Sequence, residues 1–325
     1  MSELFLFKLF GNLEQLDKIR LNFSDGGVLF MNFAIAFVMF GVALGIKTEH
    51  FKDLAKNPKT IVLGVISQYF ILPAVTFLLV LLINPSPAVA FGMILVAACP
   101  GGNVSNMISM LAKGNVALSV SLTAFTTVFA LFMTPFNFTF WGGLYARQSP
   151  YLVELVIEPS QIFQTVGLIL GIPVLLGLIV GARFPVFREK IQKPVRWASM
   201  FVLIGFIVGA LAANFDHFMK YIHLVFFIVL IHNALGFTVG YWFPKLFKEN
   251  SQNSRTIAIE TGIQNSGLGL ALIFNPKIFP PELELGGMAF IAAWWGVWHI
   301  VAGSGLAFYW GRRPSKSAKR DFAEF

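Results

Sequence analysis

From about residue 27 onward, long apolar runs alternate with short polar turns. A bilayer core takes about 20 apolar residues as a helix. The runs therefore predict nine membrane-spanning helices, near 27–46, 61–83, 88–112, 115–141, 160–182, 197–214, 221–243, 256–275 and 285–311. Residues 1–26 read differently. Phe5, Phe7, Leu9 and Phe10 are followed by Glu14, Asp17, Lys18 and Arg20, the pattern of an interfacial helix and not of a tenth span or a cleavable signal peptide.

Composition supports this all-α, polytopic membrane class. Of 325 residues, 56% are hydrophobic and 12% charged, with a mean hydropathy of +0.73. A soluble surface needs far more charge. The formal charge of +8 is topological in origin, because 18 of the 24 Lys and Arg residues fall on one side if the N-terminus lies outside. The inner groups are Lys47 to Lys59, Lys113, Arg183 to Arg196, Lys245 to Arg255, and a basic tail over 312–325. That asymmetry predicts a multi-pass cell-membrane protein with a cytoplasmic C-terminus and function inside the bilayer. Nucleic-acid motifs are absent from the sequence, no protein partner is implied, and the single Cys99 provides no disulfide framework.

The informative residues are those that hydrocarbon should not tolerate. Glu260 is the one formal charge within the nine expected spans, and no Lys or Arg within a span can pair with it. A bound cation, a proton or a helix terminus must compensate it. Around it runs Glu260-Thr261-Gly262-Ile263-Gln264-Asn265-Ser266-Gly267, poor material for a continuous lipid-facing helix. The third span carries a matching interruption, Cys99-Pro100-Gly101-Gly102-Asn103-Val104-Ser105-Asn106. Pro100 removes a backbone donor, and the paired glycines permit a non-helical backbone. Spans three and eight run in opposite directions, and matched breaks in antiparallel halves point to a transporter site built on inverted repeats.

Ser119 and Thr123 share a helical face in the fourth span, and Gln68 is the one amide of the second. With Glu260 they make a set of hydroxyl, amide and carboxylate oxygens, which suits a hard cation such as sodium and not zinc or copper. An enzyme would need a nucleophile–base pair or a metal cluster. The five histidines (His50, His217, His223, His232 and His299) are scattered without paired acids.

At Cys99 to Asn106 and Glu260 to Gly267 the chain resembles the bile acid:sodium symporter family. Its Pro-Gly-Gly-x-x-Ser-Asn break is matched by Pro100 to Asn106, and its Glu-x-Gly-x-Gln-Asn break by Glu260 to Asn265. The likeness continues through Lys113-Gly114-Asn115 and Leu118-Ser119. The resemblance implies inverted repeats, with a core domain of about 61–141 and 221–311 against a panel domain of about 27–46 and 160–214. It also implies two sodium ions and no organic cofactor. One ion would be held by Ser105, Asn106, Ser119, Thr123 and Glu260. The second would use Gln68, Glu260 and Gln264, with the backbone of Thr261 and Ile263. The cargo would be a small organic anion beside the breaks, near Gly102, Asn103, Asn265, Ser266 and His299. Some bacterial relatives carry His-Asn where this chain has His299-Ile300, which bears on the identity of that anion. The resemblance thus implies sodium-coupled import. A proton-coupled or sodium-independent exporter of the same superfamily is the alternative.

Overall fold

The computed structural model describes residues 13–19, 25–46, 58–102, 104–148, 159–275, 278–279 and 283–313. Among them every regular element is helical. The order is α1 (Glu14–Asp17), α2 (Asp25–Leu44), α3 (Pro58–Ile83), α4 (Pro87–Ala98), α5 (Ser105–Leu111) and α6 (Val116–Gln148). Then follow α7 (Ser160–Arg183), α8 (Pro185–Ala213), α9 (Phe215–Leu246), α10 (Ser251–Gly262), α11 (Ser266–Ile273) and α12 (Gly286–Gly311).

Helices α2, α3, α6, α7, α9 and α12 are long and apolar enough to cross a membrane, and they overlie six of the expected runs. Runs three and eight are each split in two, giving α4 with α5 and α10 with α11. The run expected from 197 lies within α8, which begins at Pro185. Its polar first turns, with Arg188, Glu189 and Lys190, are good helix formers that an apolar criterion misses.

Local chemistry sets many of these limits. Pro58 and Pro87 occupy first helical positions, where a missing N–H costs nothing. Asn84 ends α3 in the left-handed region at φ 48°, and Lys113 turns the chain after α5 at φ 52°. Within α3, Pro73 can donate no bond to the Tyr69 carbonyl four residues back. The helix answers with one wide π turn over Ser67–Ile71, and Asn137 of α6 donates its amide to the Tyr69 carbonyl at 2.9 Å.

Helix α2 packs on α7 and α8, α4 on α12 and α6, and α9 on α10 and α12. Approaches are close where glycine allows. A Cβ on Gly92 of α4 would stand 2.8 Å from the Met288 Cα of α12. Large apolar side chains such as Leu82, Phe132, Leu168 and Val301 remain exposed, as a hydrocarbon solvent permits.

The N-terminal segment departs from a helix lying on a surface. Leu13, Leu16 and Asp17 are buried against the starts of α4 and α12. Asp17 accepts a hydrogen bond from the Ser86 hydroxyl at 2.9 Å and another from the Ala88 N–H at 3.2 Å, so it caps α4. Burial raises its carboxyl to about 6. The rest of the expected interfacial segment, and residues 314–325 of the tail, lie outside the described residues.

Candidate cation site at the crossing of two broken helices

The two breaks meet. Extended backbone at Cys99 (ψ 156°) ends α4, and extended backbone at Ile263 (ψ 97°) ends α10. The strands between the half-helices pair antiparallel at Gly101 and Gln264. Gly102 N–H donates to the Ile263 carbonyl at 2.7 Å, and Asn265 N–H to the Pro100 carbonyl at 2.8 Å. Each break thus satisfies backbone groups that the other frees. The glycines are needed for the approach. A Cβ on Gly101 would lie 3.2 Å from a Glu260 carboxylate oxygen, and one on Gly102 would lie 3.2 Å from the Gln264 carbonyl.

Glu260, 4% exposed, projects from α10 into a ring of hydroxyls. Ser105 of α5 donates to its Oε1 at 2.7 Å, Ser119 of α6 donates to the same oxygen, and Thr123 donates to Oε2 at 2.9 Å. Asn106 joins through its Oδ1, 3.3 Å from the Thr123 hydroxyl. No cationic side chain among the described residues bonds the carboxylate. Arg255, on the same helix, donates instead to the carbonyls of Ala112, Trp310 and Arg313, closing the ends of α5 and α12. Five residues expected to share a cation (Ser105, Asn106, Ser119, Thr123 and Glu260) are therefore brought together around a charge without a counter-charge.

A second group adjoins them. The π turn carries Gln68 inward, and its amide donates to the Cys99 carbonyl at 3.1 Å and to Gln264 Oε1 at 2.9 Å. Gln264 in turn donates to the Thr261 carbonyl at 2.6 Å. Gln68 Oε1 and Thr261 Oγ1 are buried without a partner, so the group holds uncommitted acceptor oxygens. An all-oxygen set with spare acceptors fits an alkali cation. No cluster of three or more His, Cys, Asp or Glu occurs among the described residues.

The residues expected to meet the anion are less uniform. Asn265 caps α11, its Oδ1 accepting from Leu268 N–H at 3.1 Å, while its Nδ2 faces the Met39 sulfur of α2 at 3.9 Å. Ser266 lies against α12, where a Cβ on Gly296 would be 2.6 Å from its hydroxyl. His299 is buried on α12 with Nδ1 unpartnered, outside the hydrogen bonds of the crossing. Asn103 lies outside the described residues.

Sequence reasoning missed Asn137, Arg255 and Asn233. The apolar run starts after Arg255, so the sequence places this cation in a loop, whereas it lies within α10. Asn233 follows His232 in a largely apolar stretch of α9 and donates to the Gly262 carbonyl at 2.7 Å.

Crossed half-helices, apolar spanning helices and a buried carboxylate ringed by hydroxyls are the features of a membrane transporter of the broken-helix class. Comparison with known proteins makes the assignment specific: residues 32–221 match the sodium bile acid symporter family, and the chain belongs to that family of sodium-dependent transporters. It is similar to an uncharacterized sodium-dependent transporter, YocS, of Bacillus subtilis, with 34% identity over 288 residues, 87% of this chain and 83% of that one. A probable chloroplastic sodium/metabolite cotransporter of rice, BASS2, is 32% identical over 80% of this chain. Sodium/bile acid cotransporter 5 of rat is 30% identical over 70% of it. The chain spans 62% of the rice protein and 51% of the rat protein.

Proposed function

We propose that the protein is a sodium-coupled symporter that imports an organic anion, such as a bile acid or a small carboxylate, by alternating access across the cell membrane. The observation that carries this reading is the Glu260 carboxylate, ringed by hydroxyls from two helices and bonded by no cationic side chain among the described residues. Such a group stays charged in a membrane only with a cation beside it.

In this proposal one sodium ion lies among Ser105, Asn106, Ser119, Thr123 and Glu260. A second lies among Gln68, Gln264, Glu260 and the backbone oxygens of Thr261 and Ile263. The spare oxygens of Gln68 and Thr261 support the second site. The anion binds where the N-termini of α5 and α11 converge, beside Gly102, Asn103, Asn265 and Ser266, with His299 further along α12. Converging helix N-termini favour negative charge.

The two broken pairs and α8 complete nine spans, with the N-terminus outside and the C-terminus cytoplasmic. Helices α3 to α6 and α9 to α12 form the moving core, while α2, α7 and α8 form the panel; the packing of α2 on α7 and α8 supports this division.

Two ions give the coupling its force. A tenfold sodium gradient contributes about 1.4 kcal/mol per ion. One net charge gains about 2.3 kcal/mol per 100 mV. Together these make roughly 5 kcal/mol for a monovalent anion, enough for several-thousand-fold accumulation.

The test is a thermal-shift screen of purified protein against organic anions, with sodium or with choline chloride, followed by uptake into vesicles. Anion-dependent stabilisation that requires sodium supports symport. Stabilisation and transport indifferent to sodium, or driven by protons, would favour the exporter alternative.

A further inference from the structure

The end of α10 is an unusual piece of backbone, because successive carbonyls lose their helical donors inside a membrane protein. Three of them, at Thr261, Gly262 and Ile263, can be followed. The last regular helical bond runs from Ile263 N–H to the Ile259 carbonyl at 2.9 Å, and the Ile263 carbonyl is bonded instead by Gly102 N–H at 2.7 Å. The Thr261 carbonyl is bonded by Gln264 at 2.6 Å. Only the Gly262 carbonyl is held from α9, by the Asn233 side-chain amide at 2.7 Å.

Asn233 reaches it because α9 is stripped to glycine along the same face. A Cβ on Gly236 would lie 3.3 Å from the Thr261 carbonyl, and one on Gly240 would lie 2.6 Å from the Ala258 Cα. Spacings of three and seven residues place Asn233, Gly236 and Gly240 on one stripe. Asn233 is the only polar side chain of the three.

Two further observations point to a ligand and away from simple packing glue. Asn233 is 1% exposed, and its Oδ1 has no partner. The Thr261 hydroxyl, one residue before the bonded carbonyl, is also buried without a partner. A buried amide that leaves an acceptor unused costs free energy unless something else occupies it.

We propose that Asn233 is a positioning residue of the second cation site: by holding the Gly262 carbonyl it turns the neighbouring Thr261 and Ile263 oxygens toward the ion, and so sets sodium affinity and selectivity there. Ile263 is extended (φ −101°, ψ 97°), so adjacent carbonyls point to different sides. Gln264 and Gly102 hold the flanking carbonyls, and Asn233 holds the one between them, which completes the orientation of all three. This rests on the reading of a second site at Gln68 and Gln264.

The experiment is a sodium and lithium titration of thermal stability on the purified full chain, comparing wild type, Asn233→Ala, Asn233→Leu and Glu260→Gln. Loss of the Asn233 donor is expected to raise the sodium concentration for half-maximal stabilisation about tenfold and to change the sodium-to-lithium ratio. A purely structural role would lower the sodium-free melting temperature and leave both quantities unmoved, and that result overturns the proposal. If Asn233→Ala does not fold, Asn233→Leu, which keeps a similar volume and loses the donor without adding charge, decides by the same two readouts. A wild-type protein indifferent to sodium would instead refute the transport reading itself, so the two failures are distinguishable.

Discussion

Replacing Glu260 by Gln keeps the shape of the side chain and deletes its charge. Two unit charges about 4 Å apart, at an effective dielectric constant near 20, attract by about 4 kcal/mol. Losing that attraction lowers sodium affinity by about three decades, and because the proposed ions share one carboxylate, both suffer. Sodium-dependent stabilisation and uptake should vanish together. The sodium-free protein should move the other way. Without sodium the wild-type carboxylate is buried among hydroxyl donors, with no cationic side chain bonded to it among the described residues, a costly arrangement that a neutral amide relieves. The expected signature is a higher melting temperature in choline chloride and a flat response to added sodium. The assay is a detergent melting curve across a sodium series. A variant that melts lower than wild type without sodium, or still responds to it, would show that the carboxylate is a packing element and refute the reasoning.

Removing a single hydroxyl is a milder perturbation: Ser119→Ala and Thr123→Ala should each raise the half-maximal sodium concentration for uptake about tenfold, for a loss near 1.4 kcal/mol. Gly240→Ala should destabilise the protein by about 1–3 kcal/mol, since the new Cβ meets Ala258 Cα at 2.6 Å and the Ile257 carbonyl at 2.8 Å. Gly143→Ala, where a Cβ meets nothing within 4 Å, is its control in the same melt. Asp17 gives a pH dependence. Its carboxyl rises from 3.8 to about 6 on docking, so docking is strongest below about pH 4 and weakens up to about pH 6. The span is about 3 kcal/mol at 1.36 kcal/mol per unit. Hydrogen exchange over residues 13–19, corrected for intrinsic rate, should be slower at pH 5 than at pH 7, and Asp17→Asn should flatten the profile; protection that grows with pH would contradict it.

Much of the site was legible because its chemistry is local. Pro100, Gly101 and Gly102 state the first break in three letters, and Glu260 cannot sit unaided in hydrocarbon. What the sequence conceals is contact across long separations. Nothing near Asn137 announces that it serves a carbonyl orphaned by Pro73 in another helix. Nothing near Asn233 announces Gly262. Arg255 looked like a loop residue because polar first turns extend helices beyond the apolar run, as they also do in α8. Asp17 looked like an interfacial charge, yet Gly286 and Gly287 leave space at the start of α12 for its segment to sink in. The six long apolar helices follow from run length alone, whereas their grouping depends on which faces meet.

Gly101 and Gln264 form the sole strand-like contact among the described residues. Prying it apart in an oily interior would strand amide and carbonyl groups at several kcal/mol apiece. In the proposed transport cycle the knot would therefore move as one rigid bead, leaving any opening to sliding seams elsewhere in the bundle.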